Sequence, residues 1–190
     1  MALRLSQQPD ADALLERDHL ALVIGMLLDQ QVPMEWAFTG PHTIASRLGR
    51  DTLDPGEIAA YDPEQFAALL SQKPAVHRYP GSMARRIQQL CQYVRDEYDG
   101  DITALWRAAD SGVELRKRLN ALPGFGTRKA QILLALLGKQ LEVRPDGWRE
   151  AAGDFGEEGA RRSVADVTDE ATLGEVRAFK QQQKREAKKT

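Results

Sequence analysis

Leu122-Pro123-Gly124-Phe125-Gly126-Thr127-Arg128-Lys129 joins two helix-like segments through two glycines two residues apart. Pro123 stops the first segment from running on as helix. Gly124 and Gly126 can take positive φ and let another molecule's backbone come close. Thr127 is expected to cap a second helix, Arg128 to Leu137, which Gly138 closes. The free amides of Gly126 to Lys129 then lie at the positive end of a helix, where a phosphate oxygen can be held, and Arg128 and Lys129 add cations beside it. Downstream, Asp146 stands in Val143-Arg144-Pro145-Asp146-Gly147-Trp148. An aspartate after a proline turn reads first as the cap of a helix starting at Gly147. Upstream, Gln30 and Gln31 end an apolar run, where glutamines commonly satisfy loose backbone groups. Tyr79 lies in the loop His77-Arg78-Tyr79-Pro80, where an aromatic beside a proline reads as loop packing.

The elements that must position these residues all read as helices. Asp18 caps a helix whose run from Leu20 to Leu28 is apolar all round, the mark of a helix at the centre of a bundle. Pro33–Phe38 and His42–Leu48 read as two helices broken at Gly40-Pro41, and Gly49 stops the second. Asp54-Pro55 and Asp62-Pro63 each pair an N-cap with proline at the first helical position. Ser82 is expected to cap a longer helix in which Met83, Ile87, Leu90, Cys91, Val94 and Tyr98 recur at helical spacing. A short helix around Thr103–Ala109 leads into the hairpin, whose first helix carries Val113, Leu115, Leu119 and Leu122. A final helix begins near Thr168. No stretch alternates as a strand would, and no internal repeat is present. The fold class is therefore all-α.

The chain of 190 residues can bury a core unaided, and its 42% apolar content is ordinary for a soluble protein. Its one cysteine, Cys91, excludes an internal disulfide and any all-cysteine metal or iron–sulfur site. His19, His42 and His77 are scattered and read as surface or cap residues, so no metal is expected. No signal peptide is visible, and Leu20–Leu28 is too short to span a bilayer, so a cytoplasmic, nucleoid-associated protein without membrane contact is expected. The net charge of −2 hides segregation: residues 1–70 carry −7, residues 71–146 carry +5, residues 147–175 carry −5 and residues 176–190 carry +5. The hairpin block and the tail are basic, and the local field governs attraction to a phosphate backbone.

An LPGxG turn between helices, followed eighteen residues after Arg128 by Asp146 in a proline loop, resembles the helix-hairpin-helix (HhH-GPD) superfamily of DNA glycosylases that includes endonuclease III and the 3-methyladenine glycosylases. Leu27-Leu28-Asp29-Gln30-Gln31 is similar to the family's glutamine motif, and Met83-Ala84-Arg85-Arg86-Ile87 also matches. Together these cover about residues 18–150. The resemblance implies a two-lobed helical bundle with its active site between the lobes. Residues 20–137 would form a helical barrel ending in the hairpin at about 113–137, and residues 1–19 with 138–190 the second lobe. It further implies that Asp146 is the catalytic carboxylate, that Gln30 and Gln31 reach the gap left by an extruded nucleotide, and that Tyr79 or Pro80 wedges into the stack. Gly124, Gly126, Thr127, Arg128 and Lys129 would hold phosphate. The expected partner is double-stranded DNA carrying a lesion, bound by a monomer. No cofactor is expected beyond an optional monovalent cation at the hairpin.

One departure from the family bears on the chemistry. Members that also cut the strand carry a lysine near the start of the second hairpin helix, whose neutral amine attacks C1′. Arg128 occupies that position, and a guanidinium stays protonated. Lys129 is turned about 100 degrees away by one helical step. The resemblance therefore implies a monofunctional glycosylase, in which a carboxylate meets the charge that develops on the sugar as the base leaves. The alternative is a non-catalytic DNA-binding module that kept the hairpin.

Overall fold

The computed structural model describes residues 2–190 and holds eleven α-helices: α1 (Pro9–Arg17), α2 (His19–Leu28), α3 (Met34–Leu48), α4 (Pro55–Ala60), α5 (Pro63–Ser71), α6 (Pro80–Tyr98), α7 (Thr103–Arg107), α8 (Gly112–Asn120), α9 (Thr127–Gln140), α10 (Trp148–Ala151) and α11 (Glu170–Ala187). Two 3-10 turns, Gly153–Gly156 and Val164–Asp166, connect α10 to α11. The described residues form no sheet, only an isolated bridge between Ser111 and Asp146. The protein is all-α.

Helix α2 is the centre. Every residue from Leu20 to Leu28 is buried, as a run with no polar face requires. Its cap does two jobs: Asp18 Oδ1 accepts from the amides of Leu20 and Ala21 at 3.0 and 3.2 Å, and Oδ2 accepts from the amide of Leu53 at 2.7 Å. One buried carboxylate thus starts the central helix and fixes the loop that precedes α4. Asp54 and Asp62 cap α4 and α5 as expected, each accepting from a backbone amide three residues on.

The helices pack in a different grouping from the expected one. α1 packs on α2 and α3, and α4 and α5 pack on α6; the hairpin α8–α9 packs with α10 and both 3-10 turns. Residues 1–19 therefore stand with the N-terminal helices, and the hairpin stands with residues 138–190. The expected division, 20–137 against 1–19 plus 138–190, is corrected at both ends. The reason is burial: α9 is covered on almost every side from Leu133 to Gly138, which α8 alone cannot do, so residues 148–166 wrap around it.

Three helices, α3, α6 and α9, also differ from the sequence reading in their bounds. α3 runs unbroken through Gly40-Pro41, because Phe38, Gly40, Pro41 and Ile44 are all buried and packing outweighs the one amide that proline lacks. Gly40 is a close-packing point, since a Cβ there would sit 2.6 Å from Leu28 Cδ1. α6 starts at Pro80, not after Ser82. α9 starts at Thr127 with Gly126 in the cap position, and it runs past Gly138 to Gln140. Gly138 is a notch for Trp148, whose Cε3 would lie 2.3 Å from an added Cβ.

Replacing Asp18 with alanine removes the α2 cap and strands the Leu53 amide in the interior. Urea denaturation is expected to show a loss of about 2 kcal/mol with an unchanged m-value. A loss within about 0.5 kcal/mol, the range of ordinary surface changes, would show that the cap does not hold the centre.

Candidate nucleic-acid interface

The two hairpin glycines have separate jobs. Gly124 has φ +86°, and a Cβ there would lie 2.5 Å from Leu27 Cδ1. Its missing side chain lets Leu27 of α2 come close, while Gly124 itself stays exposed. Gly126 has ordinary φ −85° and faces open space. The amides of Gly126, Thr127, Arg128 and Lys129 have no acceptor among the described residues and open at the N-terminus of α9. Thr127 is exposed, as is Arg128, whose guanidinium lies 5.4 Å over the Phe155 ring and 3.5 Å from Gln183 Oε1.

Lys129 turns inward. Its Nζ donates to the carbonyl of Met26 at 2.6 Å and lies 3.5 and 3.4 Å from those of Leu27 and Asp29. These are the open carbonyls at the C-terminus of α2, the negative end of that helix, and the ammonium closes them. Burial lowers its pKa to about 8, with the nearby Asp29 carboxylate acting the other way. The expected phosphate contact through this side chain is corrected: the ammonium ties the hairpin to α2.

That tie sets Gln30 and Gln31 beside the hairpin. Gln30 is fully engaged, its Nε2 donating to Leu27 O at 2.7 Å and its Oε1 accepting from Arg86 Nη1 at 2.9 Å. It satisfies backbone, as the residue type alone implies. Gln31 is exposed, in the left-handed region at φ 59°, with no side-chain hydrogen bond among the described residues. Both line a cavity of about 720 Å³ with Asp29, Pro33, Arg78 and, from α11, Arg177, Lys180 and Lys184.

His77 joins this loop to the next. The ring is fully buried, which corrects its reading as a surface or cap residue. Nδ1 accepts from the Tyr79 amide at 3.0 Å, so Nε2 carries the proton and donates to Gln30 O at 2.9 Å. Burial lowers its pKa below the usual 6.5, which keeps the ring neutral. Tyr79 itself is 47% exposed, available to meet a base. Nothing local in the sequence marks His77 for burial, because its partner Gln30 is 47 residues away.

Asp146 is exposed, and its carboxylate has no partner among the described residues. Gly147, at φ 74°, takes the cap position of α10, so Asp146 does not cap that helix. The Asp146 carbonyl accepts from Gly112 at 2.8 Å, which fixes the loop to the start of α8. Trp148 then packs on Gly138, in the last turn of α9 and about 15 Å of helix rise from Arg128. The cavity at Gln31 does not include Asp146; the carboxylate that lines it is Asp29, 4.0 Å from Lys180.

The family model for the HhH-GPD superfamily base excision DNA repair protein matches residues 24–190, so the chain belongs to that superfamily of DNA-binding repair proteins. Among curated proteins and among solved structures, nothing matches it. No helix of the described residues is long and apolar enough to cross a membrane, and they hold no cluster of potential metal ligands.

The glycines can be separated by measurement. Gly124→Ala forces a side chain into positive φ against Leu27 and is expected to cost at least about 1–2 kcal/mol of stability. Gly126→Val, a poorer N-cap residue, is expected to cost less stability than Gly124→Ala, under about 1 kcal/mol, and to weaken duplex binding, because its side chain fills the space before the free amides. The reverse pattern would contradict these roles.

The Lys129 contact makes a prediction in pH. Below about pH 8 the buried ammonium is charged in both folded and unfolded chains; between about 8 and the ordinary 10.5 only the unfolded chain keeps the proton. Stability from this group therefore rises with pH across that window. In lysine-labelled protein, the Cε resonance of Lys129 is expected to titrate near pH 8, and a midpoint near 10.5 would place the ammonium in solvent.

Proposed function

We propose that this base excision repair protein is a monofunctional DNA N-glycosylase: it extrudes a damaged or mispaired nucleotide and releases the base by hydrolysis, leaving the strand intact. The observation that carries the reading is the absence of a free amine at the hairpin entrance. Arg128 stands where a nucleophilic lysine would be needed, and the amine of Lys129 is engaged by the carbonyls of α2. A guanidinium cannot form a Schiff base, so water must take the sugar carbon. Gln31 and Tyr79, both exposed, suit the filling of the gap and the stack, while the amides from Gly126 to Lys129 suit phosphate.

The carboxylate for the sugar is Asp146 by its place in the family motif, and its lack of a partner leaves it open to a ligand. A second assignment rests on the cavity beside the glutamines, where Asp29 is the carboxylate in the lining. Lesion-bearing duplexes, scored with and without alkali, decide both questions. Base release without strand cleavage is expected. It is expected to fall about a hundredfold in Asp146→Asn, roughly 3 kcal/mol of lost electrostatic stabilisation, with duplex affinity retained. A fall in Asp29→Asn with Asp146→Asn unaffected would move the role to Asp29. Strands cut without alkali, with an imine trapped by borohydride, would overturn the monofunctional reading. Binding without release from any lesion would make the chain a DNA-binding module.

A further inference from the structure

A cavity of about 370 Å³ is lined by Val113, Arg116, Lys117 and Asn120 of α8 and by Thr127 of α9. The 720 Å³ cavity at Gln31 is walled in part by α11, through Arg177, Lys180, Gln181 and Lys184. Arg128, in the first turn of α9, meets the same helix at Gln183. Helix α11 keeps its buried residues, Thr172, Leu173 and Val176, in its first half; residues 181–190 are all exposed. That second half buries nothing, yet its Gln181 and Lys184 line the cavity that Gln31 also lines.

Two of the cavity's cations are already matched: Arg177 pairs with Glu35, and Lys180 lies 4.0 Å from Asp29. Arg78 and Lys184 have no acidic partner among the described residues. The cavity is left with an excess of positive charge and no anion of its own to match it.

We propose that α11 is a second DNA-binding element, and that Lys184 with Arg78 across the cavity holds backbone phosphates of the strand that passes the glutamine loop. The hairpin would then not be the whole grip. The proposal rests on DNA binding, and it is independent of which base is released or whether any is.

The test is the affinity of the full chain for an undamaged duplex as a function of salt. Each phosphate contact adds about 0.9 to the slope of log affinity against log salt concentration. Arg78→Ala/Lys184→Ala is expected to bind roughly tenfold more weakly near 0.1 M salt and to lose nearly two from the slope. Lys188→Ala/Lys189→Ala, beyond the end of α11 and outside the cavity, removes the same charge and is expected to lose much less. All four side chains are exposed, so circular dichroism melts should match wild type. An equal loss in both pairs would show diffuse attraction and overturn the site. Tighter binding by Arg78→Ala/Lys184→Ala would show that α11 obstructs the DNA and overturn it as well. No duplex binding by the wild-type chain would instead remove the premise of DNA recognition.

Discussion

The arrangement depends on one part-buried lysine Nζ donor at the end of one helix. α2 is wholly apolar and buried, so its C-terminal carbonyls finish inside the protein, where open acceptors are costly. Lys129 reaches them from the first turn of α9, and Leu27 settles on Gly124 beside it. Two segments a hundred residues apart are joined by this contact, and both carry residues proposed to meet DNA. The turn that exposes the amides of Gly126 to Lys129 and the loop that exposes Gln31 are held in one frame because a single side chain binds one to the other.

That frame explains how a chain of net charge −2 can recognise a polyanion. Several of its acidic residues work in the scaffold: Asp18, Asp54 and Asp62 start helices, and Asp166 pairs with Lys139 on the far end of α9. Arg128 of the hairpin and Lys184 and Arg185 of α11 stay at the surface, while Lys129 turns inward. His77 extends the frame on the other side, holding Gln30 and the Tyr79 backbone with one neutral ring. Protonation would cost it the Tyr79 hydrogen bond, so the loop that presents Tyr79 is tied most firmly above the lowered pKa of His77.

Much of the fold was legible because it is written locally. Asp-Pro starts, the Asp18 cap and the apolar run of α2 are short-range signals, and each fell where the structure has it. The hairpin could be read from eight consecutive residues, and the family from those residues together with Asp146 and the glutamine pair. What escaped the sequence is set by distant partners. Whether Gly40-Pro41 breaks a helix depends on Leu28 and Val76, and whether Gly138 ends one depends on Trp148. The two adjacent glutamines look alike in sequence, yet Arg86 and the α2 carbonyls engage Gln30 and leave Gln31 outward. The direction of Lys129 was readable as a helical step away from Arg128; its destination was not. α11 looked like a frayed basic tail because its relation to the cavity exists only in the folded chain.

The most direct measurement is a crystal structure of the chain bound to a duplex containing an abasic-site analogue. The account predicts Lys129 Nζ still on the carbonyls of Met26 and Leu27, a phosphate on the amides from Gly126 to Lys129, and Gln31 in the gap. Lys129 released from α2 and pointing at the sugar carbon would contradict it.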